Sequence, residues 1–152
     1  MVRRLARIVA FGLGSGLLRP APGTWGTLLA WFLWVVLVGH AASWGVALIL
    51  VLGFVYGVWA CTVVGQELGQ PDYGGMVWDE IIAFWLVLAL IPQDLFAQAL
   101  AFVLFRIFDI LKPVPIRQLE MRFSGGFGVM IDDLIAAGYT LLVFWVVALL
   151  FA

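Results

Sequence analysis

Five apolar runs restrict the fold of this chain more than any other feature of its sequence. They cover Trp25–Val38, Ala41–Val64, Ile81–Ile91, Leu95–Leu111 and Leu134–Ala152. A helix that crosses the hydrocarbon core of a bilayer needs about 20 residues, so the second and fifth runs are long enough alone. The other three can cross only if the polar residues at their ends enter the membrane interface.

Composition indicates that lipid solvates these runs. Hydrophobic residues make up 65% of the chain and charged residues only 11%, whereas a soluble domain is about half apolar and about a quarter charged. We therefore expect an all-α protein, a multi-spanning transmembrane helical bundle in a single domain over residues 1–152. The segment Ile8–Leu18 is expected to add a short or re-entrant N-terminal helix, which spans the membrane or lies on it.

The basic residues orient the predicted bundle. With five spans, the amino terminus and the 112–132 loop face the same side, and all eight Lys and Arg residues fall on that side. By the positive-inside rule this side is cytoplasmic. The net charge of −1 gives no electrostatic case for a nucleic acid partner.

Carboxylates from three separate segments are predicted to reach one level of the membrane. Asp79 and Glu80 begin the third run, Asp109 lies one turn from the end of the fourth, and Asp132 and Asp133 begin the fifth. The third span leaves the cytoplasmic side, the fourth returns to it and the fifth leaves again. The five acids should therefore meet near the cytoplasmic interface.

The charges in this cluster do not balance. Arg106, Asp109 and Lys112 are three residues apart and lie on one side of the same predicted helix. These two cations leave three of the five carboxylate charges uncompensated, which is costly where water is partly excluded. A hard divalent cation with oxygen ligands, Mg²⁺ or Mn²⁺, is the natural compensation. The charge balance favours two metal ions, or one ion together with the basic side chains.

The same residues admit other interpretations. Asp132 and Asp133 could serve simply as helix caps, and Arg106 and Asp109 could form an ion pair with a purely structural role. A small divalent-cation transporter or channel would use the same carboxylates for transit, and a lipid transferase would use the same metal site. Transporter sites usually lie near the bilayer midplane. The acids are expected within a turn or two of the interface, and this depth favours an enzyme that acts on lipid headgroups.

Three glycine-containing motifs can be explained by structural roles. Thr24, in Pro-Gly-Thr, is either a helix N-cap or a hydroxyl that receives a phosphate together with free helix amides. Gly125–Gly128 is expected to form a flexible loop before the last span, either as a plain linker or to let backbone approach a ligand. Gly53 and Gly57 have the spacing of close helix packing in membranes.

Four stretches of the chain resemble the phosphatidylglycerophosphatase A family, bacterial enzymes of phosphatidylglycerol synthesis. They are GLGSGLLRPAPGTWG at 12–26, VWDE at 77–80, FRIFDILKPVPI at 105–116 and GGFGVMIDD at 125–133. They occur in the family's order and are spread over most of the chain. One departure is Ala83, where the family usually has glycine.

The resemblance implies Mg²⁺-dependent hydrolysis of the terminal phosphate of phosphatidylglycerophosphate, a phospholipid substrate. It points to five acidic site residues, Asp79, Glu80, Asp109, Asp132 and Asp133. It also points to three residues near the phosphate, Thr24, Arg106 and Lys112. Among the acids, we expect Asp79, Asp109 and Asp133 to be catalytic. Most metal ligands are expected from Asp79, Glu80, Asp132 and Asp133. Asp109 is expected to be a further ligand or the general base.

Overall fold

The computed structural model describes residues 2–114, 118 and 122–150, and in this part the chain is helical without strands. The all-α prediction is therefore confirmed. Two short 3₁₀ segments lie at Gly12–Leu17 and Val38–His40. The described helices are α1 (Val2–Ala10), α2 (Pro22–Val36), α3 (Ser43–Leu68), α4 (Trp78–Ala89), α5 (Leu95–Leu111) and α6 (Gly125–Leu150).

Each of the five apolar runs forms a helix, but their lengths differ. Three segments are long and apolar enough to cross a membrane: Pro22–His40, Ser43–Leu68 and Gly125–Leu150. Helix α4 has 12 residues and rises only about 18 Å, which is short of the hydrocarbon thickness. Helix α5 has 17 residues. Run length alone does not predict this division, because the first run, Trp25–Val38, counts among the short ones and lies within the longer segment Pro22–His40.

Helix α4 is the centre of the bundle. It contacts α2, α3, α5 and α6, and its side chains from Asp79 to Trp85 are all buried. A helix that is apolar on every side must be covered on every side, which explains its central position. Phe84 of α4 packs on Phe105 of α5, with 5.5 Å between ring centroids. This core holds the first turn of α4, which carries Asp79 and Glu80, in place.

The glycines of α3 allow this close packing, as their spacing predicts. A side chain at Gly53 would collide with Ile82 of α4. A side chain at Gly57 would lie 2.8 Å from Trp78 Cδ1. Helix α3 therefore lies directly against α4, and Trp78 donates a hydrogen bond of 2.9 Å to the carbonyl of Gly53.

The N-terminal segment does not span the membrane as one helix. Helix α1 has nine residues, and the 3₁₀ segment that follows contains Gly12 and Gly14 with positive φ. Ala6 is buried on the α3 side, and Arg7 forms an ion pair of 2.9 Å with Glu67 near the end of α3. A short N-terminal helix is present as predicted, but it lies at Val2–Ala10 and not over Ile8–Leu18, and the break after it prevents a continuous span.

Helix α6 begins at Gly125, nine residues before the predicted start at Leu134. The prediction of a flexible loop at Gly125–Gly128 is therefore wrong. Gly126 lies against the backbone of α3, and its amide donates to Thr62 Oγ1 at 3.1 Å. Because a side chain at Gly126 would collide with α3, the glycines here serve close packing. Asp132 and Asp133 accordingly lie in the third turn of α6 instead of opening it.

Candidate active site

Three carboxylates from three helices meet at one end of the bundle. Oxygen atoms of Glu80 on α4, Asp109 on α5 and Asp133 on α6 all lie within 4.8 Å of one another. Their segments are far apart in the chain, and the up-and-down order of the helices brings them together, as the span order predicts. A group of oxygen donors this compact could hold a divalent metal ion.

These acids are buried, and several of their oxygens are unsatisfied. Asp79, Glu80, Asp132 and Asp133 are each less than a tenth exposed. Asp79 Oδ1, Glu80 Oε2 and Asp133 Oδ2 are buried atoms without a hydrogen-bond partner. A buried unsatisfied polar atom costs about 1–3 kcal/mol, and more when it carries charge. The cluster therefore lowers the stability of the protein until a cation or a hydrogen-bonding ligand compensates it.

Arg106 joins the helices through these carboxylates. Its Nη1 atom lies 2.5 Å from Asp109 Oδ2 and 3.0 Å from Glu80 Oε1. The same atom is 3.4 Å from the hydroxyl of Thr27 on α2. Arg106 and Asp109 are three residues apart on one helix, so the predicted ion pair is present. The guanidinium also has a buried Nε atom without a partner, which leaves it a donor for a further ligand.

Lys112 lies on the other side of the cluster. It ends α5 in a left-handed conformation with φ of 42°, and Pro113 follows it, which disfavours continuation of the helix. Its Nζ atom lies 3.5 Å from Asp132 Oδ2. Arg106 and Lys112 thus flank the acids, one beside Glu80 and Asp109 and the other beside Asp132.

Helix α2 contributes its first turns to the site, but not as the sequence predicts. Thr24 is the third residue of α2 and the N-cap is Ala21, so the N-cap interpretation of Thr24 is wrong. Gly23 lies closest to the acids: a side chain there would collide with Glu80 Oε1 and lie 2.9 Å from Arg106 Nη2. Thr27, one turn further on the same face, was not predicted, although its spacing of four from Gly23 could have indicated it.

Asp72 is a further acid near the cluster that was not predicted. It lies in the α3–α4 loop and lines the same cleft as Asp132. Proline and glycine around it indicate a loop, and no helical spacing connects it to the other acids. Its position depends on how the loop folds back over the bundle, which local sequence does not reveal.

Comparison with known proteins relates the whole chain to one family. The profile of the family "Phosphatidylglycerophosphatase A" matches residues 8–148. The phosphatidylglycerophosphatase A of Haemophilus influenzae is 44% identical over 140 residues, which cover 90% of this chain and 84% of that protein. The phosphatidylglycerophosphatase A of Escherichia coli is 41% identical over 133 residues, covering 85% of this chain and 75% of that protein.

A third relative carries a different description. A Bacteroides thetaiotaomicron protein, described provisionally as a phosphatidylinositol-3-phosphatase, is 38% identical over 140 residues, or 88% of this chain and 87% of that protein. No solved structure matches the chain. Because the family profile covers nearly the whole sequence and both phosphatidylglycerophosphatases exceed 40% identity, the chain belongs to the phosphatidylglycerophosphatase A family.

Proposed function

We propose that this protein hydrolyses the terminal phosphate monoester of phosphatidylglycerophosphate, giving phosphatidylglycerol and inorganic phosphate, in a Mg²⁺-dependent reaction. Family membership supports the substrate. The observation that carries the mechanism is the contact between Glu80, Asp109 and Asp133, with Arg106 bound to two of them. Acidic and basic groups in contact at the end of a lipid-facing bundle suit a phosphorylated headgroup.

The donor atoms fit Mg²⁺ because they are carboxylate oxygens, the ligands that this hard cation prefers. Three of the acids have buried oxygens that lack partners within the protein, which a cation would satisfy. Asp79, Glu80, Asp132 and Asp133 would supply most ligands to one or two ions, with Mn²⁺ able to substitute. When bound, Mg²⁺ activates water and neutralises charge on the phosphoryl oxygens.

The protein's own residues bind and orient the phosphate. Arg106 suits bidentate contact with phosphate because its guanidinium is planar. It is held by Glu80 and Asp109, and its buried Nε atom has no partner in the protein, so it has a donor to offer to the phosphate. Lys112 supplies a compact positive charge, and the Thr24 hydroxyl in the first turn of α2 supplies a further donor.

The reaction exchanges one P–O bond for another. The water oxygen bonds to phosphorus, the bond from phosphorus to the glycerol oxygen breaks, and the glycerol oxygen takes up the proton that the base removes from the water. Asp109, the least buried member of the trio, is the candidate general base that accepts this proton. Asp79 and Asp133, which are buried, hold the charge that fixes the position of that water.

We place the reaction at the cytoplasmic face of the bacterial inner membrane. The support is the asymmetry of basic residues, since the helix ends near the acids carry the Lys and Arg side chains. The related enzymes named above are bacterial. A cation transporter is less well supported, because the family is one of phosphatases and the acids lie at one end of α4 and α5.

The test is release of inorganic phosphate from phosphatidylglycerophosphate in micelles, with and without Mg²⁺, by wild type, Asp79→Asn and Asp133→Asn. We expect release by wild type that requires Mg²⁺ and is lost in both variants. Full activity in both variants would refute the site. Absence of phosphate release combined with cation flux in vesicles would favour the transporter.

A further inference from the structure

A cleft of about 550 Å³ opens beside the acid cluster. It lies between the α3–α4 loop, which supplies Gln70 and Asp72, and the start of α6, which is preceded by Phe123 and Ser124. Asp132 lines the cleft and precedes Asp133 of the acid trio on α6, so the cleft lies next to the cluster. The volume is within the range of pockets that take small ligands.

The chemistry of the cleft differs from that of the acid cluster. Its polar groups are the amide of Gln70, the hydroxyl of Ser124 and the carboxylates of Asp72 and Asp132. Among the described residues, no Lys or Arg lines it, and the Gln70 and Ser124 side chains form no hydrogen bond to the protein. Lys112 pairs with Asp132 from outside the lining, at 3.5 Å. The Asp72 carboxylate can accept a hydrogen bond from a hydroxyl group, and the Gln70 amide and Ser124 hydroxyl can donate to one. The cleft therefore suits a group that carries a hydroxyl.

The mouth of the cleft continues into the lipid-facing surface. Phe123 is 41% exposed, and its ring lies 5.3 Å from that of Phe127 on α6. Phe127 in turn lies 6.0 Å from Phe54, halfway along α3. This aromatic row connects the polar cleft with the membrane-spanning part of α3. A molecule that occupies the cleft can thus keep an acyl chain in lipid.

We propose that this cleft is the headgroup subsite and binds the glycerol unit that lies between the two phosphates of the substrate. Asp72 accepts a hydrogen bond from the secondary hydroxyl, while Gln70 and Ser124 donate to its oxygen. The terminal phosphate then reaches the acid trio past Asp132, and the acyl chains leave along the aromatic row. This inference rests on the proposed function, and it explains how a lipid phosphatase would select glycerol.

The experiment compares phosphatidylglycerophosphate with an analogue that has 1,3-propanediol in place of the headgroup glycerol and so lacks only the hydroxyl. We expect wild type to prefer the natural substrate about tenfold in kcat/KM, as the loss of one paired hydroxyl predicts. Gln70→Ala and Ser124→Ala should each reduce this preference to about threefold or less, by slowing only the natural substrate. Gln66→Ala, an exposed glutamine on α3 outside the cleft, should leave both rates unchanged.

Retained hydrolysis of the analogue shows that each variant is folded and that its metal site works. Equal rates on the two substrates in wild type would overturn the inference. The inference would also be overturned if the Gln70 and Ser124 variants kept the full preference for the natural substrate, or if they lost activity on both substrates equally. Failure of wild type to hydrolyse either substrate would instead refute the proposed function, on which the subsite depends.

Discussion

The polar side chains at the two ends of the bundle differ in how well they are paired. At the far end, where α2 and α4 finish, Trp34 donates to Gln93 Oε1 at 2.8 Å, and the Gln93 amide donates to the carbonyl of Leu88 at 2.6 Å. Asp94 caps α5 by accepting from the amide of Ala97 at 2.9 Å. These side chains are paired within the protein, and their contacts close the helix ends.

At the acid end, defined by Glu80, Asp109 and Asp133, like charges lie together. Buried oxygen atoms of Asp79, Glu80 and Asp133 lack hydrogen-bond partners here, as does the buried Nε atom of Arg106. Packing around α4 holds these groups in place although their mutual repulsion opposes it. The difference supports the proposal that the acid end is the reaction site, because polar groups held at a cost in stability are common at functional sites, while the far end stabilises the fold.

The largest effect should come from Asp133→Asn. Because the carboxylate is central to the proposed metal site, phosphate release should fall on the order of 10²–10³-fold, the range for losing a group that stabilises transition-state charge. The unfolding temperature in detergent should stay the same or rise, since the change removes a buried negative charge.

Asp94→Asn is the matched control for this change, because asparagine also caps helices well and the residue lies at the far end. It should keep both activity and unfolding temperature. If Asp133→Asn kept its activity and unfolded at a much lower temperature, the acid end would be the part that stabilises the fold, contrary to the proposal.

Gly23→Ala should reduce activity by about 100-fold, since the new methyl group would displace Glu80 and Arg106, and small misplacements of catalytic groups cost about this much. The kinetic assay with saturating Mg²⁺ measures it. Gly138→Ala on α6 is the matched control, because no atom of another helix lies within 4 Å of the added methyl group. Equal activity of the two variants would show that the close approach of α2 to Glu80 is not required for catalysis.

Arg106→Lys should lower kcat/KM about tenfold, because lysine keeps the charge but cannot bridge Glu80 and Asp109 with a planar group. Initial rates over a range of substrate concentrations measure this. Wild-type kinetics in this variant would mean that Arg106 acts only as a positive charge.

The smallest effect on activity should come from Asp94→Ala at the far end. Loss of the cap should destabilise the protein by about 1 kcal/mol, seen as a lower unfolding temperature in detergent. Phosphate release at a temperature where the protein is folded should equal that of wild type. A loss of activity with unchanged stability would show that the far end contributes to function.

Much of the fold was predictable from patterns along the chain. Apolar run lengths indicate helices, and the alternation of spans brings Glu80, Asp109 and Asp133 to one end. The Gly53 and Gly57 spacing also predicts the approach of α4 to α3. These features follow from local sequence and from the rule that successive spans reverse direction.

The errors arose where tertiary contacts override local signals. Gly125–Gly128 has the composition of a loop, yet it continues α6 because Gly126 packs against the backbone of α3. Thr24 follows the usual preference for an N-cap, yet Ala21 occupies that position. Asp72 reaches the site only through the path of the α3–α4 loop. None of these contacts is encoded by spacing within one segment.

The central claim is that the acid end binds a divalent cation, and direct titration of the detergent-purified protein with Mn²⁺ tests it most directly. The electron paramagnetic resonance signal of free Mn²⁺ reports binding without any substrate. We predict saturable binding that Mg²⁺ competes away and that Asp133→Asn greatly weakens, while Asp94→Asn binds like wild type. Absence of saturable binding, or equal binding by Asp133→Asn and wild type, would contradict the account.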